Sequence, residues 1–532
     1  MRRKSRAPIA LAVIVIFASP GLARAQDRPT LELSLDEAVK RALENNVDIA
    51  VARYNPQSSA LGVKEVEGVY DPVVLSTLSS ASRTTPAQNV FAGATKVTTE
   101  TGLYNFGATQ AFRTGANLRV DFNNNKTDTN SVFSTFNPSY GSSFNANLTQ
   151  PLLRDFRIDS TRQQLKIAKK NREISDVQFR QTVVNTVASV KQLYYDLLYA
   201  IDNLEAQKKS LSLAQKLLDE NQIRVRVGTM APLDVVSAES EVAGREEAVI
   251  VAEATVSEAE DAIKRAIFPK NDPATWALRI VPTDRPTAEP VSLNAEAAIA
   301  TALEKRTDIV AARKGIESND VSVQYARNQL LPTLDLTASY GTTGIGGTRL
   351  ERSGGPLGPI TQTFPGGYGD AFSDVFAREF PTWTLSFNIS YPIGNRQAEA
   401  AQARARLARD QAQASLARLE MQIAAEVRSA ARAVETNFKR VESTRAARNL
   451  QLRRLDAEEK KFAAGMTTNF MVTQAQRDLA VAEVAELRAI ADYRKSLITY
   501  ERVQEAGGGS ASGVVSVSTS GGSARTAGST QQ

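Results

Sequence analysis

The sequence has no cysteine and no histidine in 532 residues. Without cysteine there is no disulfide framework and no thiol to carry a lipid anchor. Without histidine the usual general base, the commonest metal ligand and every Ser-His or Cys-His nucleophile pair are missing. No HExxH zinc site can be written either. The glycine-rich run through Gly341, Gly344, Gly346 and Gly347 lacks the Lys-Ser/Thr ending of a phosphate-binding loop and is read as a plain loop. Carboxylates are plentiful, but they sit among Lys and Arg at helical spacings, the pattern of solvated faces rather than of paired acid–base groups. The sequence therefore predicts no enzyme, no cofactor and no metal site.

A basic excess is also largely missing once the first residues are set aside. Arg2, Arg3, Lys4 and Arg6 precede the apolar stretch Ile9 to Ala18, which is too short to span a bilayer as a mature helix. Ala23-Arg24-Ala25 places small residues where a signal peptidase reads, so residues 1–25 are expected to be a signal peptide cleaved after Ala25. Removing them takes the formal charge from +6 to +1. The high isoelectric point is thus no argument for a nucleic-acid partner. At the other end, residues 506–532 are almost entirely Gly, Ser, Thr, Ala and Gln and are expected to be disordered.

What is present is a pattern written twice. At an offset of 260, Ala42-Leu43-Glu44 meets Ala302-Leu303-Glu304, Asp48-Ile49 meets Asp308-Ile309, and Pro72 meets Pro332. At an offset of 237, Gly228 meets Gly465, Val235 meets Val472 and Ala238 meets Ala475. After a lead segment 26–34, the spacing predicts one repeat over 35–268, a linker over 269–292 and a second repeat over 293–505. Each repeat opens on an amphipathic helix, Leu35 to Val69 or Leu293 to Gln329, which ends before Pro72 or Pro332 because proline cannot continue it.

Strands follow. Leu334, Leu336, Ala338 and Tyr340 alternate with Thr333, Asp335, Thr337 and Ser339, and Trp383, Leu385, Phe387, Ile389 and Tyr391 alternate with hydroxyl and amide residues. One greasy face and one polar face over nine or more residues is what a transmembrane barrel needs. Val73 to Ala81, Gly102 to Thr109, Ala116 to Asn123 and Ser143 to Gln150 qualify in the first repeat, with a short turn at Arg113-Thr114-Gly115. Polar linkers at 83–98 and 124–140 and a Gly/Pro-rich loop at 341–380 are expected on the outer side.

Two very long helices come next, from Thr161 to about Val227 and from Arg396 to about Ala464, each followed by a shorter returning helix. Val183, Val187, Val190, Tyr194, Leu197, Ile201 and Leu204 form a seam at alternating steps of four and three, and Ile423, Val427, Ala430, Val434 and Val441 continue the rule in the second copy. At 1.5 Å per residue such helices reach about 100 Å. One chain offers too few strands to close a barrel, so several copies are required.

This combination resembles the TolC-type outer membrane efflux protein family over about residues 31–505. The local likeness lies in Arg226-Val227-Gly228-Thr229-Met230-Ala231-Pro232-Leu233-Asp234-Val235 with Ala238, and again in Phe462-Ala463-Ala464-Gly465-Met466-Thr467-Thr468-Asn469. The resemblance implies an α+β membrane protein. It would be a homotrimer whose transmembrane β-barrel in the outer membrane lipid continues into a long periplasmic α-helical barrel. It implies two barrel strands per repeat, so the hairpin at 99–126 is extra and either enlarges the barrel or folds outside it. It also implies a passive duct served by a periplasmic adaptor (a membrane fusion protein) and an inner-membrane RND pump or ABC exporter. Gly228, Thr229, Gly465, Met466 and Thr467 would form the tip turns that meet the adaptor. Asp234, Met471 and Gln474 would stand at the tunnel-mouth constriction, Asp234 with an equal claim to be a plain helix-start acid. Where family members with an acidic ring place aspartates, six and nine residues after the second glycine, this chain has Met471 and Gln474. A less acidic mouth is therefore expected. The competing reading is a periplasmic coiled-coil adaptor or scaffold, which would need neither the repeat nor lipid-facing strands.

Overall fold

The computed structural model describes residues 29–87, 95–269, 272–285, 287–355 and 358–507. The expected signal peptide and nearly all of the expected C-terminal tail lie outside these residues.

In chain order the elements are β1 (Thr30–Leu33), α1 (Leu35–Asn45), α2 (Val47–Ala52), α3 (Tyr54–Glu67), β2 (Val73–Pro86), β3 (Lys96–Ala111), β4 (Asn117–Thr129), β5 (Phe136–Pro151), α4 (Ser160–Arg226), α5 (Pro232–Ile267), α6 (Pro273–Trp276), β6 (Arg279–Pro282), α7 (Ala295–Lys305), α8 (Thr307–Asn328), β7 (Thr333–Arg352), β8 (Ile360–Phe364), α9 (Tyr368–Ala377), β9 (Phe380–Ser390), α10 (Arg396–Ala463) and α11 (Asn469–Glu505). The order helix, strands, long helix, shorter helix occurs twice. Among the described residues no helix is long and apolar enough to cross a membrane.

The opening helices differ from expectation. The segment read as one helix from Leu35 is three, and the segment from Leu293 is two. The breaks fall at Asn46 and Arg53 in the first and at Arg306 in the second; Asn46 and Arg306 correspond at the 260-residue offset, and both have extended backbone. Asn46 ends α1 and starts α2, its side chain accepting from the N–H groups of Asp48 and Ile49. Arg306 has no capping oxygen. Its guanidinium is buried instead, donating to Asp308, to Glu426 (2.6 Å) and to the Val503 carbonyl (3.2 Å). Local hydrogen bonding fixes the first kink and a long-range ion pair fixes the second. Neither disturbs the apolar periodicity, so neither is visible in it.

Apart from β1 and β6, the strands form one antiparallel sheet in the order β2-β3-β4-β5-β7, with β9 paired to the first half of β7 and short β8 to its end. The strands are longer than expected. β2 and β3 reach into 83–98, and β4 and β5 reach into 124–140. The run through Gly341, Gly344, Gly346 and Gly347, read as a loop, is the second half of β7. Residues 341–380 are thus a strand continuation, β8 and helix α9 as well as turns. The reason is close packing: a Cβ at Gly344 would collide with the Ala371 carbonyl and one at Gly346 with that of Gly367. These glycines let α9 lie against the strand backbone.

The register keeps the two faces of the sheet distinct. Val74 and Leu78 of β2, Tyr104, Phe106 and Ala108 of β3, Leu118, Val120 and Phe122 of β4, Phe144, Ala146 and Leu148 of β5, and Leu336, Ala338 and Tyr340 of β7 share one face with Phe387, Leu385 and Trp383 of β9. Asn117, Arg119, Asp121, Asn145, Asn147, Asp335 and Thr337 lie on the other. Trp383 and Ile389 on the greasy face are 76% and 74% exposed. Helix α9 covers the far end of that face, where Phe372 meets Phe122 and Tyr368 meets Tyr140.

Below the sheet the long helices pair as α4 with α5 and α10 with α11, with α4 against α11. Of the first predicted seam, Val190, Tyr194 and Leu197 bury in one core with Leu33, Ala38, Ile263 and Ile280, while Val183, Val187, Ile201 and Leu204 are half-buried; the second seam buries, with Ile423, Val427, Val434 and Val441 in another core with Ile299 and Ile309. Strands β1 and β6 pair in parallel beside the first core, where the Tyr194 hydroxyl donates to the Leu33 carbonyl at 3.0 Å.

Candidate functional site at the hairpin tips

Both hairpins turn by the same local chemistry. Helix α4 ends at Val227, and Gly228 takes φ +79°. The Gly228 N–H donates to Val225 O and the Thr229 N–H to Arg224 O. Helix α10 ends at Ala464, and Gly465 takes φ +74°. The Gly465 N–H donates to Phe462 O and the Met466 N–H to Lys461 O. This is the paired-bond ending in which a left-handed residue lets the chain fold back on the last carbonyls. The threonines differ in use. Thr229 Oγ1 bonds Arg224 O at 3.0 Å, whereas Thr467 Oγ1 bonds the Glu458 carboxylate at 3.1 Å.

The returning helices start differently. Pro232 is the first residue of α5, where its missing N–H costs nothing. Asp234 lies in that first turn, where a carboxylate favours the positive end of the helix. In α11 no acid occupies the first turn. Met471 is exposed, and Gln474 donates to Asp478 at 2.8 Å while Asp478 pairs with Arg454 at 2.7 Å.

Residues that sequence reasoning did not single out join the two tips. Asn221 of α4 is fully buried and donates to Asn469 Oδ1 at 2.9 Å, and the Asn469 amide reaches the Asp234 carbonyl at 3.4 Å. Asn469 therefore brings the first turns of α5 and α11 together at Asp234. Arg224 lies over the Phe462 ring, 4.1 Å from its centroid, and donates to Phe462 O. Beneath them Leu217, Leu455, Phe462, Val472, Ala475 and Leu479 form a small core with Met230 against it. A turn further in, buried Glu241 of α5 accepts from Arg245 of its own helix and from Arg477 of α11, each at 2.8 Å. Burial alone would raise its pKa, but the two arginines prevail and hold it below the usual carboxylate range. The signal for Asn469 was its place just after Thr468 at a helix start. Nothing local marks Asn221 or Arg477, because their partners are more than 200 residues away.

Among the described residues no group of three or more acidic side chains is set to hold a metal ion. The tips do present apolar side chains to solvent: Leu233, Val236, Met466 and Phe470.

Over 176 residues the chain is 24% identical to the outer membrane protein TolC of Vibrio cholerae, an alignment spanning 33% of this chain and 39% of that relative. The fold is that of a membrane protein from Pseudomonas aeruginosa, with a TM-score of 0.63 at 17% identity, covering 88% of this chain and 93% of the other. It is equally that of the CmeC outer membrane channel of Campylobacter jejuni, with a TM-score of 0.61 at 16% identity, covering 88% and 85%. Residues 9–267 and 298–503 match the outer membrane efflux protein family, and the chain belongs to it.

Proposed function

We propose that this chain is the outer-membrane channel component of a tripartite efflux or type I secretion system. It is a passive duct from the periplasm to the exterior. The observation that carries the reading is one sheet with a greasy exposed face whose strands lead, twice in one chain, into helices of 67 and 68 residues. The first solves burial in lipid and the second spans about 100 Å of aqueous space. Family membership agrees with it. Three identical copies close the sheet into a barrel and the helices into a tunnel, because a bilayer tolerates no open sheet edge. The two halves of each copy are repeats, with a kink at Asn46 in one and at Arg306 in the other.

The partners are a periplasmic adaptor and an inner-membrane RND pump or ABC exporter. The adaptor meets the tips around Gly228, Thr229, Gly465, Met466 and Thr467, where Met466, Phe470 and Leu233 supply exposed apolar area. The mouth is lined at Asp234, Met471 and Gln474. Only the first of these is acidic.

The test is fractionation. The full chain is expected in outer membranes, running as a trimer that dissociates on heating, and its deletion is expected to sensitise cells to the compounds its pump exports. Recovery from the soluble periplasm would overturn the duct and favour the adaptor or scaffold reading.

A further inference from the structure

The hairpin β3–β4 is not an appendage. It lies inside the sheet, with β3 paired to β2 along its length and β4 paired to β5 from Asn117 to Thr127. Its greasy residues Phe106, Ala108, Val120 and Phe122 continue the face begun by Val74 and Leu78 and ended by Trp383 and Phe387. Strand β8 adds nothing to the circumference, because it sits above β9 on the same edge of β7. Counting across the wall therefore gives six strands: β2, β3, β4, β5, β7 and β9.

Among the described residues, the outer edges of β2 and β9 have no strand beside them. Strand β2 leaves the helical end of the molecule and β9 returns to it, so the two edges run antiparallel. The helices below repeat the arrangement. α3 packs on α4, α4 on α8 and α8 on α10, so α3 lies under the β2 edge and α10 under the β9 edge. Both bounding helices carry exposed apolar side chains, Tyr54 and Leu61 by one edge and Leu407 and Met421 by the other. The unpartnered edges coincide in sheet and helix layers. A second copy of this chain covers both at once.

We propose that β2 of one copy pairs antiparallel with β9 of the next, so that the trimer closes as an eighteen-stranded barrel with β3 and β4 in its wall. This rests on the trimeric duct described above and adds the strand count and the pairing. The period of two fixes the parity: to keep the greasy face outward, even-numbered β2 residues must stand opposite odd-numbered β9 residues. Barrel diameter grows roughly in proportion to strand number, so this wall is roughly half again as wide as one built from two strands per repeat.

Natural absence of cysteine makes the test direct. Leu78→Cys is combined in turn with cysteine at each position from Thr382 to Asn388 in the full chain, and outer membranes are oxidised. Covalent trimers are expected with substitutions at Trp383, Leu385 or Phe387, and not at the even positions between them. Within one copy, Leu78→Cys with Tyr104→Cys and Val120→Cys with Ala146→Cys are expected to join. If trimers form but Leu78→Cys joins Phe144→Cys instead, the hairpin lies outside the wall and the proposal falls while the duct stands. Cross-linking without parity overturns the pairing. If no oligomer is found in the outer membrane, the proposal and the duct reading fall together.

Discussion

Gly228 and Gly465 sit at φ +79° and +74°, where an L side chain costs roughly 1 kcal/mol or more. A Cβ at either glycine would meet nothing within 4 Å, so the cost of substitution is conformational rather than steric. Gly228→Ala and Gly465→Ala are each expected to destabilise the tip by about 1 kcal/mol, with Asn milder than Ala because it tolerates the left-handed region. Hydrogen exchange at Thr229 and Met466 should report it, and protection unchanged in the alanine variants would refute the account. Glu241 makes a pH-dependent contribution. Its pKa is lowered on folding, so its stabilisation is fully present above the ordinary glutamate value near 4.3 and is lost as pH falls through the folded value. Glu241→Gln should lower the melting temperature at neutral pH, and the difference from the parent should shrink below about pH 4. An equal deficit at every pH would show that Glu241 acts through packing alone.

At the scale of elements, helix α9 depends on missing side chains beneath it. Gly344→Val would drive a methyl group into the Ala371 backbone, so α9 must lift from β7 and β5. We expect the segment 365–379 to become protease-sensitive in the variant while the long helices keep their thermal transition, and continued protection would refute the packing role. This helix also marks what the sequence hides. Periodicity located all six long strands and both seams, because the alternations are local and clean. It misread Gly344 and Gly346 as loop residues, since a glycine that admits a neighbouring helix looks the same as one that frees a turn. It missed the kinks at Asn46 and Arg306 for a related reason: the helical spacing runs through them. Asn46 was recoverable as a capping residue before Asp48 and Ile49. Arg306 was not, because its partners Glu426 and Val503 lie over a hundred residues on. At the tips the glycines were legible from the repeat and Asp234 from the family resemblance, while Asn221, Arg224 and Arg477 became apparent only through tertiary contacts.

For the whole molecule, the decisive quantity in the proposed trimeric duct is the charge that three copies bring to one mouth. In that duct each copy contributes Asp234 from α5, but Met471 and Gln474 where the second half could have supplied acids. Gln474 is moreover tied to Asp478, whose charge is answered by Arg454. A ring of three carboxylates attracts a trivalent cation far less than one of nine, because the potential inside a low-dielectric constriction adds over all its charges. Single-channel recordings with a trivalent hexaammine cation on the periplasmic side should therefore show weak block of the native trimer. The double variant Met471→Asp with Gln474→Asp is expected to be blocked at concentrations at least about tenfold lower, the equivalent of about 1.4 kcal/mol per bound ion. The native channel should also be less sensitive to ionic strength than the variant, since fewer charges are left to screen. Tight block of the native trimer would mean that acids elsewhere in the chain line the mouth, and the constriction would then have to be sought away from the first turn of α11.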